Sequence, residues 1–456
     1  MIGIWRLVIN GWWLIKMATN DLIRLRGGKP LIGEIHLRGA KNTIPKNMVA
    51  ALLTDEPVII RDVPKIEDVD IMTRLFLRMG VEVEEVRPGT LQIISKKIRQ
   101  PTRQDLADIT GRSRIPILTA GPLLHRFGKA LVPKLGGCNI GPRPVDFHVK
   151  ALRELGADYD ENDENGVFKT KGLRGARIAL EYPSVGATEQ VILSSVLADG
   201  QTELHNAAVE PEIMDLITLL QKMGAIISVD TDRTIYVEGV KKLGGATHTG
   251  MPDRNETASW ACAALGTNGR ILVRGADQLG MMTFLNKYRQ IGGGFDVNRD
   301  GITFYRQQEK LAPITVETDV HPGFMTDWQQ PLVVVLTQAD GRSIVHETVY
   351  PSRFGYIDEL NKMGAKIKLF EESPELIKSK FGQRNYRQSA QIDGPTKLHG
   401  SEMTVPDLRA GFSYIVAALI AEGDSTIHGF SVLQRGYEHL VAKLQSLEAE
   451  ILEVKA

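Results

Sequence analysis

One phrase recurs along this chain and limits what it can fold into: a helix ending in Leu/Met-Gly-Ala or a close variant, then an alternating strand. It appears as FLRMGVEVEEV around Gly80, LRELGADYDE around Gly156 and LQKMGAIISV around Gly224. It returns as YRQIGGGFDV around Gly292, LNKMGAKIKL around Gly364 and LQSLEAEILEV around Glu448. Glycine just past the last helical residue suits a left-handed cap, and the following residues alternate with the period of a strand. Five of the copies also carry an upstream helix of small apolar residues, as in ASWACAALG and SYIVAALIAEG, followed by a short strand. The pattern per copy is strand, helix, strand, helix, strand, strand. The second copy fits least well, because LGGCNIGPRP puts a glycine-rich stretch where the others have a plain turn. The charged segment 372–391 reads as an inserted surface loop.

Six copies of roughly 70 residues are too long for an open solenoid, whose repeats usually run ~20–45 residues. Two globular lobes of three copies each suit the 456 residues better, and they leave a cleft between them where ligands bind. A hinged, two-lobed α/β enzyme is the expectation.

Composition removes several alternatives. The 55 Lys+Arg balance 55 Asp+Glu, so no net field favours nucleic acid or an anionic membrane. Two cysteines cannot build a disulfide framework and point to a reducing, cytoplasmic setting. No HExxH, paired CxxC, P-loop or GxGxxG signature occurs, so no metal and no cofactor is expected. Residues 1–16, MIGIWRLVINGWWLIK, fall short of the ~18–20 apolar residues of a membrane span. Trp5, Trp12 and Trp13 would suit an interfacial anchor, but the expected reading is a true start at Met17, with no stable membrane association.

Several residues could do chemistry. Cys138 lies in LGGCNIGPRPVDFH (135–148), where Lys134 and Arg143 would lower a thiol's pKa; the bland alternative is an inert small residue. Cys262, inside an apolar helix, reads as buried and inert. Arg143, Pro144, Val145 and Asp146 could grip a nucleobase or phosphate, or simply fix a turn by a salt bridge. Lys41 and Asn42 precede a helix expected from Ile44, a natural place for an anion, although a solvated lysine beside a cap looks the same. Arg112, Arg114 and Arg409 stand near other helix starts, and SVGAT offers Ser184 and free amides in its own copy. That such loops recur at equivalent points means more than any one of them. Asp327, at the start of the helix after HPGFMT, reads either as an N-cap or as a general base over a sugar hydroxyl.

Nine segments in order resemble the UDP-N-acetylglucosamine 1-carboxyvinyltransferase family of enolpyruvyl transferases. They are LRGAKN, GGCNIGPRPVDFH, SVGAT, EPEIMD, MPDRNET, HPGFMTD, ETVYPSRF, VPDLRAG and RGYEHL, and the likeness runs from about Ile23 to the C-terminus. The resemblance implies a two-lobed inside-out α/β barrel of six βαβαββ repeats, three per lobe. Residues 1–22 would be an N-terminal extension, 23–38 with 252–456 the first lobe, and 39–251 the second lobe with the cysteine loop. It implies transfer of the enolpyruvyl group of phosphoenolpyruvate to the 3'-hydroxyl of UDP-N-acetylglucosamine, releasing phosphate, at the start of peptidoglycan precursor synthesis. Cys138 would be the proton donor, Asp327 the carboxylate at the acceptor hydroxyl, and Lys41 with Asn42 a pair meeting both substrates. Arg114, Arg143 and Arg435 would hold phosphate and carboxylate, with Arg409 and Asp407 close by. Arg143, Pro144, Val145, Asp146 and Phe147 would embrace the uridine. Ser184, Val185 and Gly186 would bind the diphosphate, and Val349 the nucleotide sugar. Tyr182 and Pro142 depart from the family pattern, and segments 1–16 and 372–391 have no counterpart in it. The rivals are 5-enolpyruvylshikimate-3-phosphate synthase, which lacks the cysteine loop, and a non-catalytic nucleotide-sugar-binding relative.

Overall fold

Among the described residues six separate sheets account for the six repeats, five of them mixed and the three-stranded one antiparallel. The computed structural model describes residues 21–107, 109, 111–133, 146–161, 165–350, 353–371 and 388–455. In one sheet Ile32–His36 runs parallel to Arg270–Arg274, which pairs antiparallel with Gly301–Arg306, and that in turn with Gly293–Asn298. The sheets around Val58–Arg61, Gln201–His205, Gly341–His346 and Asp424–His428 repeat this order. The sheet around Lys129–Pro133 shows three strands among the described residues.

All six marked helices end as the repeat demands. Gly80, Gly156, Gly224, Gly292, Gly364 and Glu448 have φ of 82°, 91°, 101°, 113°, 104° and 62°. After five of them the next amide reaches back to the last turn, as in Ala225 N to Leu220 O and Ala449 N to Leu444 O, both near 3 Å. These bonds satisfy carbonyls that the helix itself leaves open. Glu448 adopts this backbone without a glycine's freedom.

The upstream helices are inside and the sheets outside. Helices Arg254–Gly266, Thr326–Leu336 and Leu408–Ile420 pack on one another and are buried on nearly every face. A helix wrapped by protein on all sides must be apolar all round, which is why small residues run through these segments. Trp260 meets Phe412 edge-on at 5.0 Å, and Phe324 meets Trp328 at 5.4 Å. At the far end of this bundle a Cβ on Gly266 would lie 2.5 Å from Ile420 Cδ1. A larger residue there would cost about 1–3 kcal/mol of overpacking.

Two hydrophobic cores form. One gathers residues from Ile23 to Ile35 and from Ala258 to Leu447, the other residues from Ile44 to Leu243. The chain passes between them twice, and the two passages pair. Gly39 bridges Pro252, Ala40 N donates to Met251 O at 2.8 Å, and Asp253 N donates to Arg38 O at 3.2 Å. Strands far apart in the chain also close each lobe on itself. Ala246–Thr249 runs parallel to Val58–Arg61, and Leu22–Arg26 inserts between Asp424–His428 and Glu450–Lys455.

Two expectations change. The segment 372–391 is not all insertion, because Ser389–Gly394 is a strand paired with Gly341–His346; residues 372–387 lie outside the described residues. The extension also ends earlier than residue 22: Leu22 is in a strand, and Asp21 O accepts from Gly429 N at 3.0 Å. Residues 1–16 and Met17 lie outside the described residues. Among the described residues no helix is long and apolar enough to cross a membrane.

Candidate functional site

A cleft of about 750 Å³ opens between the two cores. Six inner helices start at its walls: Ile44–Ala50, Ile115–Thr119, Val185–Ser195, Arg254–Gly266, Thr326–Leu336 and Leu408–Ile420. The repeat thus delivers the same helix end to the cleft from both lobes. Helix N-termini carry partial positive charge and unsatisfied amides, so the floor favours anions before any side chain is counted.

Side chains strengthen that bias. Lys41 Nζ lies 2.7 Å from Asp68 Oδ2. Burial alone would raise the Asp68 carboxyl, yet Lys41 and Arg435 hold it below the usual range. Below them Lys46 Nζ donates to Glu189 at 2.7 Å and to the Asn42 carbonyl, anchoring the Lys41–Asn42 turn. Arg435 reaches over from the other lobe, donating to Arg112 O at 3.1 Å and lying 3.6 Å from Glu67. Arg409 is buried and spans Asp327 at 3.4 Å and Asp253 at 4.0 Å. Burial opposes its charge, but Tyr437, Asp253 and Asp327 raise its pKa above the usual value. Among the described residues its Nη1 is buried with no hydrogen-bond partner. A buried guanidinium nitrogen left unmatched is costly, and Arg409 is among the residues that line the cleft.

The carboxylates divide by position. Asp253 and Asp407 are N-caps, each accepting from the amides of the second and third residues of its helix. Asp327 is not a cap, contrary to one expectation: Met325 holds that position and Asp327 is the second helical residue. Its Oδ1 accepts from Arg353 Nη2 at 2.5 Å and its Oδ2 from Asn255 Nδ2 at 3.3 Å. Ser184 does cap, accepting from Ala187 N at 3.4 Å. His148, buried beside Gly186, has its pKa pushed down to about 4 by burial and by Arg114.

The lobes touch around the cleft. Arg254 makes two 2.9 Å bonds to Glu212, Arg233 donates to His321 O, and Lys65 N donates to Glu438 at 3.0 Å.

Of the residues singled out above, Lys41, Asn42, Arg114, Phe147, Ser184, Val185, Gly186, Asp327, Val349, Asp407, Arg409 and Arg435 line this one cleft. Asp146 opens helix Asp146–Glu154 but is exposed and outside the lining. Cys138, Pro142, Arg143, Pro144 and Val145 lie outside the described residues. Cys262 is buried and free, and burial pushes its thiol up. Residues not anticipated include Asp68, His148, Glu210, Arg353 and the buried Glu347. Arg353 was inside a motif already noted, but nothing in its neighbours marked it as Asp327's partner. Tyr182 stands in the cleft wall with its hydroxyl buried and, among the described residues, unbonded.

The comparisons with known proteins agree with this geometry. The profile of the family described as EPSP synthase (3-phosphoshikimate 1-carboxyvinyltransferase) matches residues 25–444. The UDP-N-acetylglucosamine 1-carboxyvinyltransferase of Protochlamydia amoebophila is 47% identical over 438 residues, covering 94% of each chain. That of Chlamydia pneumoniae is 44% identical over 426 residues, covering 92% of each. Among solved structures, the enolpyruvyl transferase NikO from Streptomyces tendae superposes with a TM-score of 0.83 at 22% identity, over 96% of this chain and 100% of that one. EPSP synthase from Acinetobacter baumannii gives 0.75 at 18% identity over the same shares. At those identities the two structures speak for the fold alone.

Proposed function

The chain belongs to the enolpyruvyl transferase family of EPSP synthase and UDP-N-acetylglucosamine 1-carboxyvinyltransferase, and we propose that its cleft joins phosphoenolpyruvate to UDP-N-acetylglucosamine. The activity is that of the second of these enzymes, the first step of peptidoglycan precursor synthesis. The observation that carries the substrate reading is the convergence of six helix starts with Lys41, Arg114, Arg409 and Arg435 on one space.

The chemistry calls for such a space. The methylene carbon of phosphoenolpyruvate takes up a proton while the sugar 3'-oxygen bonds to the central carbon. The tetrahedral adduct then loses the methyl proton, and phosphate departs with its bridging oxygen, restoring the double bond. Negative charge stays high throughout, and preorganised donors in a closed cleft stabilise it better than water does. Proton transfer and charge stabilisation suffice for these steps.

Roles follow from position. Lys41, Arg114, Arg409 and Arg435 hold the phosphate and carboxylate; the unmatched Arg409 Nη1 supports this reading. The Val185 and Gly186 amides at the helix start receive the diphosphate, and Phe147 and Val349 flank the nucleotide sugar. Asp327, oriented by Arg353, accepts the proton of the 3'-hydroxyl. Cys138, with Arg143, Pro144 and Val145 of its loop, completes the site as proton donor and uridine contact. Two cores and paired crossovers support a lobe division at 39 and 251. A cytoplasmic location, where both substrates and reduced thiols are at hand, belongs to the same proposal.

Phosphate release tests it. Purified protein with phosphoenolpyruvate should release phosphate with UDP-N-acetylglucosamine and not with shikimate 3-phosphate. The reverse preference would overturn the reading. Nucleotide-sugar binding without any release would favour a non-catalytic relative.

A further inference from the structure

Glu347 follows strand Gly341–His346 and is 1% exposed, yet among the described residues its carboxylate makes no bond to a cation. It is filled by four neutral donors. Oε2 accepts from Thr326 Oγ1 at 2.9 Å and Gln329 Nε2 at 3.1 Å. Oε1 accepts from the amides of Val349 at 2.8 Å and Tyr350 at 3.0 Å. One oxygen is thus committed to the first turn of the Asp327 helix, the other to the loop of Val349. Both elements line the cleft. Bonds to an ionised acceptor are about twice as strong as neutral ones, so this group fixes the distance between the two walls. The far side is held too: Thr348 N donates to Thr318 Oγ1 at 2.9 Å, and Tyr356 OH donates to Gln329 Oε1 at 2.7 Å.

We propose that Glu347 is a positioning residue for the nucleotide sugar, locking the Val349 loop in register with Asp327. This rests on the assignment of that wall to the sugar substrate above. Glu347 touches neither substrate, and the phosphoenolpyruvate contacts come from other elements. Loosening it should therefore split the two Michaelis constants. In Glu347→Gln the new amide faces Gln329 Nε2, donor against donor. Gln329 can turn only by giving up the bond from Tyr356.

The test is steady-state phosphate release by Glu347→Gln and Thr326→Val, each titrated with either substrate in excess of the other. For Glu347→Gln, KM for UDP-N-acetylglucosamine should rise about tenfold and kcat fall about tenfold, the scale of a small misplacement. KM for phosphoenolpyruvate should stay within about twofold. Thr326→Val keeps the charge and shape and removes one bond, so the same split should appear at about threefold. A lowered Tm with both constants unchanged, or with both shifted equally, overturns the proposal and leaves Glu347 a structural group. If the glutamine variant does not fold, the Thr326→Val split decides alone. Should the unaltered protein release no phosphate, the reading of the reaction fails instead. Calorimetric titration of UDP-N-acetylglucosamine against Thr326→Val then settles Glu347, an unchanged Kd overturning its role.

Discussion

Arg353 donates to Asp327 Oδ1 across 2.5 Å, and the guanidinium is almost wholly buried while the carboxylate keeps 19% of its surface exposed. The exposed partner faces the cleft; the buried one orients it. Asp327→Asn can still accept from Arg353 but no longer balances its charge. Removing one partner of a fully buried pair costs ~3–5 kcal/mol. With partial exposure and a surviving acceptor, about 1–2 kcal/mol is expected here. Turnover should fall by ~10²–10⁴-fold, the usual loss for a general base. Thermal unfolding and phosphate release on the same preparation check both. A variant with full turnover would leave Asp327 as an anchor for Arg353 and nothing more.

Glu448 is the one repeat cap that is not glycine, and it holds φ at 62° while exposed to solvent. A side chain in that backbone region is disfavoured by roughly 1–2 kcal/mol, and glycine is not. Glycine loses more entropy on folding, which offsets part of this gain. Glu448→Gly should therefore stabilise the protein by about 0.5–1 kcal/mol. Calorimetry should show a higher Tm with unchanged phosphate release. A lower Tm would mean that the Glu448 side chain holds the last strand in a way the backbone does not reveal.

Much of this architecture could be read locally. Each Gly-Ala mark is a cap written in two or three residues, and the inner helices betray themselves by being apolar all round. The closing of the sheets could not be read that way. Leu22–Arg26 pairs with Asp424–His428 across nearly the whole chain, and nothing in either five-residue strand specifies so distant a partner. The site shows the same division. Lys41, Ser184 and Arg409 were legible because each precedes or opens a helix. Asp253 and Asp407 cap their helices, whereas Asp327 falls two residues later relative to its own helix start. No single sequence distinguishes those registers, so cap and acid looked alike. Arg353 meets Asp327 through a tertiary bond, and Glu347 joins its local bonds to Val349 and Tyr350 with tertiary ones to Thr326 and Gln329, a pairing that no local pattern marks.

The two cysteines should behave oppositely. Cys262 sits at 0% exposure within helix Arg254–Gly266, and burial pushes its thiol up, so little thiolate exists at neutral pH. Cys138 has glycines and two cations beside it in sequence. A thiol reagent at pH 7 should modify one cysteine per folded chain and two per chain in denaturant. Peptide mapping should place the first label on Cys138. Labelling of Cys262 in the folded protein would contradict its burial.

His148 should make the protein acid-sensitive well above the carboxylate range. Its imidazole is buried against Gly186, and burial together with Arg114 lowers its pKa from the ordinary 6.5 to about 4. The folded state thus prefers the neutral ring. Above pH 6.5 both states are neutral and the preference has no effect on stability. As pH falls from 6.5 towards 4 the unfolded chain takes up a proton that the folded one refuses, so stability is lost. Between pH 7 and pH 5 that loss amounts to about 2 kcal/mol. His148→Asn cannot titrate, so its unfolding free energy should fall less over the same interval, by about that amount. Denaturant unfolding of both proteins at pH 7 and pH 5 measures the difference. UDP-N-acetylglucosamine should flatten the slope of the unaltered protein, because a diphosphate beside the ring favours its charged form and moves the folded pKa back towards 6.5. Parallel slopes for the two proteins would mean that the ring is solvated or paired in the folded state, and the acid-labile group would have to be sought among the buried carboxylates.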